Sequence, residues 1–103
     1  MLIVTGEIVA RPDTFEEALA LSLEHVERSR LEPGCLRHGA HVDAENPMRI
    51  FFFELWVDAA ALKAHFAVPE SRDFSKAAAR LAAETASIQV YDGERKTLAE
   101  VFA

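Results

Sequence analysis

The most apolar stretch of the chain is residues 51–57, in which Glu54 is the only charged side chain. Successive side chains of an extended strand point to opposite faces, so odd-numbered and even-numbered residues line different faces. Both faces are apolar here, whereas a strand with one side in water is apolar on one face only. The face that the helices are predicted to leave bare carries Phe51, Phe53, Leu55 and Val57. An apolar face of that size predicts a second subunit packed against it.

Hydrophobic periodicity and turn residues predict the other elements. In the first half of the chain we expect a strand over residues 2–10, a helix from Pro12-Asp13-Thr14 to Pro33-Gly34, a strand over residues 35–42 and a turn over residues 43–47. The Phe-rich strand follows this turn. After it we expect a short helix from Asp58 to near Pro69, a helix over residues 70–83 and a strand over residues 85–91. The order β-α-β-β-α-α-β predicts an α+β ferredoxin-like sandwich, whose helices cover one face of an antiparallel sheet.

The first predicted helix has the clearest amphipathic pattern. Thr14 and Glu17 have the spacing of a capping box at its start. The stripe predicted to be buried contains Phe15, Ala18, Leu19, Ser22, Leu23 and Val26. His25 lies at the edge of this stripe, and we predict that its side chain is solvated.

Length and composition narrow the class of protein. The 103 residues, 50% of them hydrophobic, fit one globular domain over residues 1–103. Residues 94–103 form a tail with an apolar end, a candidate contact for the partner subunit. The net charge of −6 argues against a nucleic-acid partner, which needs a basic face. No apolar run reaches the ~20 residues of a membrane span. The single cysteine, Cys35, is compatible with a reducing compartment, so we predict a cytoplasmic protein.

Three polar side chains are predicted to turn toward the helices. Glu54 shares a strand face with Trp56, His38 lies on the inner face of the second strand, and His65 lies on the same helical side as Leu62. An imidazole with an ordinary pKa near ~6.5 can accept a proton at neutral pH. Each histidine has a structural alternative, in which it is a hydrogen-bonded core residue and takes no part in chemistry.

Several other chemistries lack their sequence motifs. The four histidines show no metal-ligand spacing along the chain, and Cys35 has no cysteine partner. There is no Gly-rich phosphate loop and no nucleophile elbow. We therefore predict no metal site and no nucleotide or serine-hydrolase site. His41 and Arg37 lie on the outer face of the second strand, at the interface or the surface.

Four motifs together resemble a known family. They are Glu32-Pro33-Gly34-Cys35-Leu36-Arg37, the turn from Asp43 to Pro47, Glu54-x-Trp56-x-Asp58, and Ala61-Leu62-x-Ala64-His65. In this order and spacing they resemble the antibiotic biosynthesis monooxygenase domain. The resemblance implies a dimeric α+β barrel, closed sheet to sheet by two subunits. It also implies a monooxygenase that uses O2 on a quinol, phenol or polycyclic aromatic without metal, flavin or haem, and hence no cofactor.

For such a reaction we predict His65 as the first candidate for the base and His38 as the second. Glu54 would orient whichever histidine it reaches. The residues predicted to bind substrate are Trp56, Phe52, Leu62 and Phe66. This chemistry requires from the protein mainly a base in an apolar pocket that excludes water.

A second function class stays open on the sequence. The chain can instead be a non-catalytic dimeric module that binds a ligand or serves a stress response. Phe52 stands where the oxygenases of the resembled family carry a pocket asparagine, which favours the module. The pair of Trp56 and His65 beside a carboxylate favours the oxygenase.

Overall fold

Four antiparallel strands form one sheet with the order β2-β3-β1-β4 in a computed structural model that describes residues 1–103. The elements are β1 (Leu2–Val9), α1 (Phe15–Ser29), β2 (Cys35–Asp43), β3 (Asn46–Trp56), α2 (Ala59–Ala67), α3 (Pro69–Leu81), β4 (Ser87–Asp92) and α4 (Leu98–Val101). The predicted ferredoxin-like order is confirmed, with a short fourth helix in the tail. None of the helices combines the length and apolarity needed to cross a bilayer.

The alternation along β3 is confirmed. Its even-numbered side chains are buried under the helices, and these are Ile50, Phe52, Glu54 and Trp56. Its odd-numbered side chains from Phe51 to Leu55 lie on the bare face and are only partly buried. One face of the sheet therefore builds the core, and the other remains half exposed within a single chain.

β3 begins earlier than predicted. It starts at Asn46, inside the turn predicted over residues 43–47, because Asn46 pairs with Asp43 of β2 while Arg49 pairs with Val9 of β1. The turn shrinks to residues 44–45, where the Glu45 backbone N–H donates to Oδ1 of Asp43 at 2.8 Å. Turn residues satisfied in this way fix the point at which the chain reverses from β2 into β3.

The predicted capping box at Thr14 is wrong. The Thr14 hydroxyl donates to the Leu81 carbonyl at 2.7 Å and accepts from the Arg11 backbone N–H, so it caps no α1 amide. Glu17 instead pairs with Arg80 at 2.9 Å. Both side chains thus join the start of α1 to the end of α3, and a tertiary contact replaces a local one. At α2 the expected local cap is present, since Asp58 accepts from the Ala61 backbone N–H.

The buried face of α1 is rotated from the prediction. Its buried members are Ala18, Ser22, His25, Val26 and Ser29, whereas Leu23 is 46% exposed. The hydroxyls of Ser22 and Ser29 donate to carbonyls four residues earlier, so both can be buried without unpaired groups. Small side chains at these positions leave room for the larger imidazole between them. The prediction that His25 is solvated is wrong.

We expect Gly34→Ala to lower the free energy of unfolding, because Gly34 has a left-handed φ of 82° in the loop before β2. A non-glycine residue in such a conformation costs about 1–3 kcal/mol. The added methyl would also lie 2.6 Å from Cβ of Ala61 and 2.8 Å from Cγ1 of Val57. Urea unfolding at one fixed protein concentration measures the loss. Gly93→Ala is the matched control, since its methyl would meet only the Ile3 side-chain tip at 3.3 Å; an equal loss in both variants would contradict the prediction.

Candidate active site

A cavity with a volume of about 270 Å³ lies between the helices and strands β1, β3 and β4. Much of its apolar wall comes from three rings, Phe52 on β3, Phe66 on α2 and Phe74 on α3. Its polar lining includes His25, Glu54, His65, Ser71 and Ser75. An apolar cavity with a few polar side chains is typical of a small-molecule site.

The residues predicted to line this cavity fall into two layers. Those in its lining are Phe52, Glu54, His65 and Phe66. Those behind the lining, fully or almost fully buried, are His38, Trp56 and Leu62. Trp56 and His38 therefore support the wall and offer no ring face to the cavity. Sequence reasoning missed His25 and Phe74 as lining residues.

Glu54 is the hub of the inner layer. Its Oε1 accepts from the Trp56 indole N–H at 2.9 Å and lies 3.2 Å from Nε2 of His38. Burial is the largest influence on the pKa of Glu54 and raises it. The close approach and charge of His38, the hydrogen bond from Trp56 and the charge of His65 together outweigh burial, so the pKa of Glu54 lies below its ordinary value. The site thus holds an ionised carboxylate at neutral pH.

An irregularity in β2 places His38 beside Glu54. The register shifts between Cys35 and Arg37, so the strand carries one extra residue there. Leu36 is 57% exposed as a result, although simple alternation put it on the same face as His38. Beyond the shift, His38 pairs directly with Glu54 across the two strands.

His65 is held by a second carboxylate. Its Nδ1–H donates to Oε1 of Glu32 at 2.8 Å, because an ionised carboxylate can only accept. The ring lies 4.7 Å from that of Trp56, centroid to centroid, and lines the cavity. Nε2 of His65 takes part in no hydrogen bond to the protein and is the nitrogen free to act. Glu32 belongs to the first of the four motifs, but sequence reasoning gave it no role.

His25 completes a group of three imidazoles. Its ring stacks on Phe74 with centroids 4.2 Å apart, and its Nδ1 accepts from the Arg28 guanidinium at 3.1 Å. Burial first, then the charges of His38, His65 and Arg28, lower the pKa of His25 to about 3. His25 is therefore neutral at physiological pH.

The fold brings His25, His38 and His65 together from α1, β2 and α2. One ring nitrogen from each lies within 4.8 Å of the others, and all three residues are buried. Imidazole groups in such a cluster are able to hold a transition metal ion. Spacing along the chain gave no sign of this cluster, because its members are brought together only by the packing of three elements.

Comparison with known proteins identifies the family of this chain. The antibiotic biosynthesis monooxygenase family model matches residues 1–77, about three quarters of the chain. The chain belongs to the antibiotic biosynthesis monooxygenase family. All three clustered histidines and both of their carboxylate neighbours fall within the matched residues. The family resemblance seen in the sequence is confirmed.

Relatives support the assignment. The uncharacterised protein sll1783 of Synechocystis sp. is 38% identical over 98 residues, which cover 94% of this chain and 67% of that protein. A crystal structure of an antibiotic biosynthesis monooxygenase has a TM-score of 0.85 at 28% identity, covering 92% of this chain and 100% of that chain. The structure of PA3566 from Pseudomonas aeruginosa has a TM-score of 0.81 at 26% identity, covering 91% and 94%.

We expect the stability of the metal-stripped protein to fall as the pH is lowered from about 6.5 toward 3, in part through His25. Native His25 has a pKa of about 3 against an ordinary 6.5, so between these values only the unfolded state binds the proton. One such proton contributes up to about 1.4 kcal/mol per pH unit. Urea unfolding across this range should show a shallower decline for His25→Gln than for wild type. The exposed His41→Gln is the control, and parallel curves for wild type and His25→Gln would refute the assignment.

Proposed function

We propose that this protein is a cofactor-independent monooxygenase that oxidises a quinol, phenol or polycyclic aromatic with O2. One observation carries the proposal: His65 lines an apolar cavity while a partly buried carboxylate, Glu32, holds its other nitrogen. A base must be within reach of the proton that it removes, and orientation by a third group is the usual support for such a base. Family membership supports oxygenase chemistry but does not identify the substrate.

In the proposed reaction, Nε2 of His65 takes the proton of the substrate hydroxyl. The resulting anion passes one electron to O2, and the substrate radical and superoxide combine to form a carbon–oxygen bond. Protonation by the His65 imidazolium gives a hydroperoxide, and loss of water from it leaves a carbonyl group. One oxygen atom of O2 thus ends in the product and the other in water. The protein's part is to accept and return a proton beside an apolar cavity.

The other residues have supporting roles. The rings of Phe52, Phe66 and Phe74 give a flat apolar substrate its contact surface. Glu54, ionised and fixed by Trp56, places a negative charge near the ring that receives the substrate proton. His38 has no access to the cavity, so we assign it the role of positioning Glu54 and not that of second base.

We also propose that two chains pack sheet to sheet. The bare face of β3 presents Phe51, Phe53 and Leu55, and the Arg37 guanidinium lies 5.2 Å from the centre of the Phe53 ring. An apolar centre with a charged edge is typical of a protein–protein interface. The tail adds further exposed apolar side chains, Leu98, Val101 and Phe102, and we propose that it lies on the partner. Together with the free thiol of Cys35, this fits a cytoplasmic homodimer.

A second candidate is a module that binds an aromatic ligand without oxidising it. The observation in its favour is Phe52 in the cavity wall, at the position where the resembled oxygenases place an amide side chain. A phenyl ring contributes contact area but no hydrogen bond to a developing oxyanion. Binding without turnover is the outcome that would select this function.

For the oxygenase we expect His65→Ala to lower the initial rate of oxygen uptake by ~10²–10⁴-fold, the usual effect of losing a general base. The assay uses metal-stripped protein with a panel of hydroquinones and anthrone-like phenols. Glu32→Gln should cause a smaller loss because the base is retained but poorly oriented. His41→Ala, on the outer face of β2, should keep the full rate.

Each other result has a defined meaning. Activity that disappears with a chelator would contradict the cofactor-independent mechanism. Activity that survives His65→Ala and His38→Ala would clear both histidines and make Glu54 the next residue to replace. Quenching of Trp56 fluorescence by a panel member without oxygen uptake would favour the binding module.

For the dimer we expect Phe53→Asp to convert the protein to a monomer, since a carboxylate at the centre of an apolar interface would be desolvated without a partner. Light scattering at micromolar concentration measures the mass. Leu31→Asp is the matched control, because Leu31 is 87% exposed and lies outside the sheet. An unchanged mass for Phe53→Asp, or a monomeric wild type, would refute the proposed interface.

A further inference from the structure

We propose that His25, His38 and His65 form a binding site for a divalent transition metal ion, with Glu54 as a fourth, carboxylate ligand. Zn²⁺, Co²⁺ and Ni²⁺ are the ions of the right chemical class, because imidazole with one carboxylate suits borderline metals. This site goes beyond the proposed oxygenase function, which requires no metal. Its ligands come from α1, β2, β3 and α2, so it would join all the layers of the domain.

The separations among the three imidazole nitrogens, and the one between His38 and Glu54, fit a site before metal uptake. In a tetrahedral site with bonds of 2.0–2.1 Å, neighbouring ligand atoms are about 3.3–3.4 Å apart. The three imidazole nitrogens already lie within 4.8 Å of one another. Nε2 of His38 is 3.2 Å from Oε1 of Glu54 but makes no hydrogen bond to it. That distance is the one expected of two ligands that share a metal ion.

His38 supplies the strongest sign of a missing partner. Its side chain has no exposed surface, and neither ring nitrogen forms a hydrogen bond within the protein. A buried polar group without a partner is costly, and most such groups in proteins are satisfied. A metal ion bound to one nitrogen of His38 would satisfy that group directly.

The surrounding groups resemble the outer shell of a metal site. The Glu32 carboxylate accepts from Nδ1–H of His65, which leaves Nε2 of His65 as the ligand atom. The Trp56 indole N–H fixes Glu54 in the same manner. Metal-binding histidines usually donate their other N–H to a carboxylate or carbonyl, and ligating carboxylates are themselves hydrogen-bonded.

One contact has to change for the metal to bind. Nδ1 of His25 accepts from Arg28, which leaves the proton on Nε2. Metal binding through Nε2 therefore requires that proton to leave, with Nδ1 protonated and the Arg28 contact broken. Arg28 keeps its second contact, to the Glu70 carbonyl at 3.3 Å. The exchange costs one hydrogen bond and gains one metal ligand.

Metal binding and the proposed oxygenase reaction exclude each other at His65. A nitrogen that binds a metal ion cannot accept a proton, so Zn²⁺ would inhibit oxygen uptake and a chelator would restore it, if the oxygenase function holds. The two proposals remain separable. Binding is measured without turnover, and turnover is measured on metal-stripped protein.

The test is a titration of metal-stripped protein with Zn²⁺ by calorimetry and with Co²⁺ by visible absorption. We expect one ion per chain and the absorption band of four-coordinate cobalt. His25→Gln, His38→Gln and His65→Gln should each weaken binding at least 100-fold. Glu32→Gln, which leaves all four ligands in place, should weaken it about 10–100-fold, as loss of an outer-shell partner does.

The controls separate this site from surface binding. His41→Gln removes an exposed histidine from the same strand as His38 and should leave the affinity unchanged. Circular dichroism establishes that each variant is folded, and Glu32→Gln still tests the site if a ligand variant is not. Wild-type protein that binds less than one ion per chain, or clustered-histidine variants that bind as tightly as wild type, would overturn the proposal.

Discussion

The buried carboxylate of Glu54 is the constraint on which the rest of the site depends. A charge in this position is tolerated only because an indole N–H and an imidazole lie beside it. Trp56 can donate because it lies two residues along the same face of β3, and His38 is reached because β2 carries an extra residue at Leu36. The packing of His65 on Trp56 then orders α2 over the same point. The charge of Glu54 therefore connects the extra residue of β2, the buried Trp56 ring and the position of α2.

The elements could be predicted from sequence because their signals are local. The alternation along β3, the Asp58 cap and the helix-stopping Pro33-Gly34 each act within a few residues. The phase of α1 could not be predicted by the same means. Ser29 looks polar in a pattern, yet its hydroxyl donates to a carbonyl within the helix and the residue is buried. Leu23, the larger apolar side chain, is on the exposed side.

Only some residues of the site could be predicted from the sequence, for a related reason. Glu54 and His65 share a predicted inner face with apolar neighbours, so periodicity could find them. His25 could not be found in this way, and its meeting with His38 depends on the angle at which α1 crosses the sheet. Thr14 shows the same limit, since its hydroxyl binds a carbonyl 67 residues away and not its own helix. Contacts between elements that are far apart in the chain produce no periodic pattern in the sequence.

β4 has a consequence for access to the cavity. Within one chain all six of its residues are exposed, and its only strand neighbour is β1, yet residues 86–88 form part of the cavity wall. Segments with little buried surface open at the smallest cost in free energy, without unfolding of the whole domain. The wall formed by β4 is therefore the one that local fluctuations move first, whereas the wall formed by β3 is fixed between two strands. Movement of this edge strand changes the width of the cavity for a ligand while the histidines and carboxylates stay in place.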